Sequence, residues 1–344
     1  MSRTRAGLRN ALPVITSLVA LAGVVWWASR QEAPDFPTSA GAIALLVLAV
    51  ATYAVITLLR GYRWHVIMRR VGLPHARADA YGLTVVGYMG NAVLPARGGE
   101  VLRVLLLGER AGVRRREVIG SIIPERLLDA AVLALLFLAL TISGRAEERL
   151  GIWPALGAGA AVVLGALAIY VYHELRVAGR FASLADRIRP FTRASRQLLN
   201  RTGVAMALLT LLVWALESSV FLCVAAALEL DGVGLIDSAL VVVAASFLAM
   251  VPAGPGYVGT FDAAVLFALG ILDIRGGTAF TALLMYRFVV FVPVTVAGLL
   301  LALTKYGGLG LLRRGRSGPA DDEELLAEQP PGDRELQVAP RQRP

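Results

Sequence analysis

Apolar residues along this chain come in long unbroken runs rather than in alternation, and short basic segments separate the runs. Stretches over about 11–29, 41–59, 118–142, 152–172, 204–228 and 278–303 reach the roughly 20 residues that a helix needs to cross about 30 Å of hydrocarbon. Three others, over about 80–94, 238–252 and 260–272, are shorter, a length that suits re-entrant or partly buried segments. The pattern predicts an all-α polytopic integral membrane protein with about six full transmembrane helices.

Composition agrees. Of 344 residues 57% are hydrophobic and 17% charged, and the mean hydropathy is +0.66, values that exclude an ordinary soluble domain. A bundle of spans fills this length and leaves no room for an added catalytic domain. The net charge is +9 and Lys305 is the only lysine. The arginines lie between apolar runs, as the positive-inside rule requires, and form no nucleic-acid-binding face. The single cysteine, Cys223, excludes a disulfide framework and a thiolate metal site. The first apolar run follows Arg3, Arg5 and Arg9, and "WWASR" is a poor cleavage site, so a retained signal anchor is expected. The polar segment 307–344, rich in Pro, Gly, Asp, Glu and Arg, is expected to be a disordered cytoplasmic tail.

Charge also predicts topology. The basic N-terminus, the segment 60–78 (Arg60, Arg63, Arg69, Arg70, Arg77) and "GERAGVRRRE" at 108–117 all read as cytoplasmic. The chain between the last two must therefore enter the membrane and return. Segment 173–203 is basic and cytoplasmic, 229–237 is acidic and external, and the last span ends inside at Lys305, Arg313 and Arg314. Residues 238–277 then form a second even crossing, entered from outside. Its tip, "VPAGPGYVG", carries Pro252, Gly254, Pro255, Gly256 and Gly259, which cannot continue a helix. The first tip carries Pro95, Gly98 and Gly99. Span, hairpin and span thus occur twice in opposite orientation, over about 41–142 and 204–303, within one transmembrane domain, 1–306. "LPARGGE" weakly echoes "VPAGPGYVGTFD", and "PERLLDA" echoes "MYRFVVF". Inverted repeats with broken helices near the midplane are the plan of many transporters.

Charges inside spans carry the functional information, since each costs about 2.5–3.5 kcal/mol at a helix centre. Arg97, Glu100 and Arg103 recur every three residues on the first return arm and share a face there. The amides of Gly98 and Gly99 offer an anion site at the start of that helix, and arginine's planar fork suits phosphate oxygens. A membrane-edge loop would account for the arginines but gives Glu100 nothing. Glu125, Arg126 and Asp129 follow in the next span, placed to answer Arg97 and Arg103; an acidic helix start is the competing reading. The second half supplies Glu217, Asp262 and Arg287, expected to pair with one another as a site or as a structural ion pair. His65, His75 and His173 read as interfacial. No cofactor and no metal site is expected.

"GNAVLPARGGEVLR", "IIPERLLD" and "VPAGPGYVGTFDAAV", in that order and at these distances, resemble the transmembrane domain of lysylphosphatidylglycerol synthases, also found alone as flippase-like membrane proteins. The resemblance runs from about residue 11 to 305. It implies a domain that moves a lipid between leaflets, with Arg97, Glu100, Arg103, Glu125, Arg126, Asp129, Asp262 and Arg287 at the motif positions. Family members often carry Glu where Asp262 stands. The soluble synthase domain of two-domain members is not expected here, so neither synthase activity nor an aminoacyl-lipid substrate is implied.

Together these readings predict a lipid flippase or transporter of the cell (inner) membrane, multi-pass, with cytoplasmic N- and C-termini. It would move an anionic phospholipid or lipid-linked precursor through a polar cavity between two re-entrant hairpins. The expected partners are membrane lipids with anionic headgroups, and a second copy of the chain or a lipid-modifying enzyme. No nucleotide motif G-x-x-x-x-G-K-[ST] is present. The alternatives are a membrane-embedded enzyme acting on a polyprenyl phosphate or phospholipid, or a non-transporting partner of a separately encoded lipid synthase. Neither a His–Ser or His–Asp pairing nor a G-x-S-G motif supports an enzyme.

Overall fold

A computed structural model describes residues 36–94, 97–142, 201–249 and 254–307. The expected spans 11–29 and 152–172, the tip prolines Pro95 and Pro252, His173 and the tail beyond 307 lie outside the described residues. Within them every regular element is helical: α1 Ala40–Arg70, α2 Arg77–Val93, α3 Gly98–Ala111, α4 Arg115–Ile142, α5 Arg201–Ala227, α6 Leu235–Ala249, a 3-10 turn Pro255–Tyr257, α7 Thr260–Ile271 and α8 Gly276–Thr304.

Three of these helices, α1, α5 and α8, are long and apolar enough to cross a membrane. Their outer faces are greasy: Val47 is 62% exposed, Leu208 62% and Leu300 57%. A soluble protein would hide such side chains, so the surrounding solvent is lipid. At 1.5 Å per residue α1 is about 46 Å long, whereas α2, α3, α6 and α7 are only about 25, 21, 22 and 18 Å.

Local sequence explains the helix ends. Ser39 caps α1 by accepting from the Ala42 amide at 3.2 Å. Gly112, with φ 63°, closes α3 in the left-handed conformation. Pro124 and Pro293 lie inside α4 and α8 without ending either helix, since neighbouring helices in a bundle compensate for the lost hydrogen bond.

Packing repeats between the halves. Exchanging α1–α4 for α5–α8 maps the helix contacts onto one another: α1 on α2 matches α5 on α6, α2 on α3 matches α6 on α7, and α3 on α4 matches α7 on α8. Likewise α1 on α4 matches α5 on α8, α1 on α8 matches α5 on α4, and α2 on α8 matches α6 on α4; α1 packs directly on α5. The closest helix approach needs glycine. A Cβ on Gly99 would lie 1.7 Å from the Gly87 carbonyl oxygen, so the arms α2 and α3 touch through backbone. At the far end of this pair, Asp79 meets Arg110 of α3 at 3.3 Å, Lys305 at 3.3 Å and the Tyr306 hydroxyl at 3.2 Å. Burial works against the Asp79 charge, but hydrogen bonds from Lys305 and Arg110 outweigh it and hold the carboxyl below its ordinary value.

One expectation fails. The segment 60–78 does not begin as a cytoplasmic loop: α1 continues to Arg70, and Arg60 and Arg63 are 8% and 0% exposed. Basic residues mark a cytoplasmic segment only when they face water, and both of these find carboxylates inside the bundle.

Candidate functional site

The two breaks in the chain meet. Gly256, in the second, lies so close to the first hairpin that a Cβ would be 3.4 Å from the Ala92 carbonyl oxygen. Around this junction lies a cavity of about 130 Å³ that draws its wall from both halves. Tyr53 and Arg60 of α1, Tyr88 and Asn91 of α2, Arg97 of the first break, and Arg126 and Asp129 of α4 form one side. Trp214 and Glu217 of α5, Ser246 of α6, Tyr257 of the second break, Phe261 of α7 and Phe291 of α8 form the other. This space holds several waters or a phosphate-sized group.

The first break is built from charge. Arg97 takes the left-handed conformation (φ 59°) at the start of α3 and pairs with Glu100 at 3.1 Å. Asn91 accepts from the Gly99 amide at 3.0 Å, using one of the free donors of that helix start. Behind them Arg103 leaves the cavity wall: it bonds Glu125 at 2.8 Å and lies over the Trp64 ring at 4.0 Å. Arg126 reaches Glu100 at 3.3 Å, Asp129 at 3.4 Å and Glu125 at 3.7 Å. At the centre sits Arg63, which holds both oxygens of Asp129 (2.7 and 3.0 Å), Glu125 at 3.3 Å and the Thr210 hydroxyl at 2.8 Å.

The second break is simpler. Gly256 and Tyr257 supply the left-handed backbone, with φ 61° and 54°, and Asp262 accepts from the Gly259 amide at 2.8 Å. The other Asp262 oxygen accepts from Arg287, whose guanidinium lies 5.3 Å from both the Phe261 and Phe291 rings. The two halves therefore match in detail. In each, the acid three positions into the return arm (Glu100, Asp262) bonds an arginine of the following helix (Arg126, Arg287).

Placement differs from expectation at three points. Glu217 does not join Asp262 and Arg287; it pairs with Arg60 at 2.8 Å, and Arg60 also bonds the Tyr88 hydroxyl at 2.7 Å. Arg103 and Glu125 are buried supports, and neither they nor Glu100, Asp262 and Arg287 line the cavity. Arg60 and Arg63, missed as site residues, hold Glu217 and the Glu125/Asp129 pair; their only sequence signal is that they continue an apolar run at helical spacing, three apart, where a cytoplasmic segment was expected. His65 and His75 bond each other at 2.7 Å, apart from the cavity. Among the described residues no three His, Cys, Asp or Glu side chains are placed to hold a metal ion.

A family model described as "Lysylphosphatidylglycerol synthase TM region" matches residues 14–298. The chain belongs to this family. It is also similar to a UPF0104 membrane protein of Methanothermobacter thermautotrophicus, 24% identical over 320 residues, covering 84% of this chain and 94% of that protein. The glycosyltransferase AglD of Haloferax volcanii is 24% identical over 286 residues, 70% of this chain. The match spans only 45% of that glycosyltransferase. The expected family is thus borne out, and all three motifs lie inside the matched region.

Proposed function

We propose that this chain translocates an anionic phospholipid or lipid-linked precursor between leaflets, its headgroup passing through the cavity while the tails stay in lipid. The observation that carries this reading is a cavity at the junction of two broken helices, walled by Arg60, Arg97 and Arg126 among apolar and aromatic side chains. Helix lengths support re-entrant hairpins, since α2, α3, α6 and α7 each fall short of about 30 Å of hydrocarbon. The matched contacts of the two halves support an inverted repeat, and with it access from alternate sides. Both termini lie in the cytoplasm and the protein resides in the cell membrane, as the arginine distribution suggests. Its role is transport and not catalysis, and its partners are lipids, a second copy or a lipid-modifying enzyme.

The chemistry is an exchange of partners. With the cavity empty, Glu100 neutralises Arg97 and shares Arg126; a headgroup phosphate takes over those guanidinium edges, so arginine is never left desolvated and bare. Arg97→Lys tests this directly, because lysine keeps the charge and the stem but loses the planar fork. In reconstituted vesicles scored by a leaflet-exposure assay, transport falls by about 10-fold or more at normal expression, as expected for loss of a charge-assisted pair. Unimpaired transport removes Arg97 from the site. The glycosyltransferase name of one relative favours a second reading, a membrane partner in lipid glycosylation; there, vesicles holding this chain alone show no lipid movement.

A further inference from the structure

The charges around the cavity do not balance. Among the described residues, ion pairs connect Arg63, Arg97, Arg103 and Arg126 with Glu100, Glu125 and Asp129 in one network, so four positive charges face three negative ones. The adjoining pair Arg60 and Glu217 is neutral by itself. The surplus charge lies toward the cavity, because Arg97, Arg126 and Asp129 line it, while Arg63 and Arg103 behind the wall are matched by Glu100 and Glu125. A net charge in a site of low dielectric is costly unless a counter-charge is supplied.

Unused donors lie at the same place. The Nε atoms of Arg60 and Arg97 and the indole Nε1 of Trp214 are shielded from solvent and make no hydrogen bond among the described residues; the Nε atoms of Arg63 and Arg103, behind the wall, are unbonded too, whereas that of Arg126 faces Glu100 at 3.3 Å. Arg60, Arg97 and Trp214 line the cavity, and Trp214 and Arg60 are more than nine-tenths buried. Buried donors of this kind ask for an acceptor. The space, about 130 Å³, admits a phosphate-sized group.

The geometry points to a cavity matched to one negative charge: the group it takes is a phosphodiester monoanion carried by a lipid headgroup of no other net charge. This rests on the translocation reading for its location but narrows the substrate. A zwitterionic headgroup would leave the surplus positive charge unanswered. A phosphomonoester, a dianion near pH 8, would overshoot by one charge.

The test measures binding and needs no transport. The purified protein is placed in phosphatidylcholine nanodiscs carrying equal small fractions of phosphatidylglycerol, phosphatidylethanolamine and phosphatidic acid, at about pH 8 so that phosphatidic acid is doubly charged. Lipids that stay on the protein are counted by native mass spectrometry. Phosphatidylglycerol is enriched about tenfold over both others, a ratio within reach of one partly screened charge contact. Glu100→Gln raises the network charge by one and moves the preference to phosphatidic acid. Arg97→Gln and Arg126→Gln each lower it by one and abolish discrimination against phosphatidylethanolamine. Thermal unfolding confirms that each variant is folded, and the two arginine variants stand in for each other if one is not. A preference that ignores these charge changes, or equal retention of the three lipids by the native protein, overturns the proposal. Displacement of bound phosphatidylglycerol by millimolar dimethyl phosphate, the same monoanion without tails, would overturn the headgroup assignment. Selective binding without lipid movement in vesicles would sink the translocation reading alone and leave the charge match standing.

Discussion

The two hairpin breaks occupy equivalent positions and solve the same problem with different chemistry. Each turns the chain through a left-handed residue and starts a short helix whose third residue is an acid bonded to an arginine of the next helix. At the second break Gly256 and Tyr257 both take the left-handed conformation, with φ 61° and 54°, and one ion pair between two aromatic rings completes the turn. At the first, Arg97 itself takes the left-handed conformation, at about 1–2 kcal/mol against the alternatives, and it belongs to a network of seven charged residues. Strain at a non-glycine residue persists where surrounding contacts over-determine it, and it concentrates at functional sites. Both breaks hold such a residue, Arg97 and Tyr257, and both residues line the cavity; what sets the first apart as the working surface is its charge network.

The sharpest way to break this comparison is to remove the network's centre. Arg63→Met keeps the stem but leaves Asp129 without its two-pronged partner and weakens Glu125, and about 3–5 kcal/mol of stability is lost. Detergent-solubilised thermal or denaturant unfolding measures it. A loss below about 1 kcal/mol, the scale of an exposed pair, would mean that the buried network contributes no more than a surface contact.

The second half should respond less. Asp262→Asn retains an oxygen for the Gly259 amide and loses only the charge that faces Arg287, so about 1.5–3 kcal/mol is expected. Adding Arg287→Gln recovers much of that, because the stranded guanidinium is removed with its partner. Strictly additive losses in the double mutant would show that the two residues are not coupled.

The smallest effects come from packing of the arms. Gly99→Ala forces the Gly87 carbonyl away from α3 and destabilises by about 1–3 kcal/mol. Gly270→Ala in α7 meets nothing within 4 Å and gains about 0.4–1 kcal/mol from the restricted unfolded chain. Equal responses would remove the distinction between a first hairpin closed through backbone contact and a second with room at that position.

Much of this was legible in the chain beforehand. Unbroken apolar runs declare α1, α5 and α8, because a helix in lipid needs length and hydrophobicity and no partner to be recognised. Glycine and proline declare the breaks, since their backbone limits act locally. The faint echo of "PERLLDA" in "MYRFVVF" is realised as the equivalent positions of Arg126 and Arg287. Pairing was legible only in part: Arg103 meets Glu125 and Arg287 meets Asp262 as expected. Arg60 and Arg63 looked like the start of a cytoplasmic loop, and the acids that hold them, Glu217, Glu125 and Asp129, lie far away along the chain. Glu217 was expected beside Arg287 and is bonded to α1. Periodicity and punctuation are properties of neighbouring residues, so the sequence by itself determined the solvent, the helices and the breaks. Which buried charge faces which, and whether four arginines meet three acids or four, depends on how distant helices pack, and only the tertiary structure decided it.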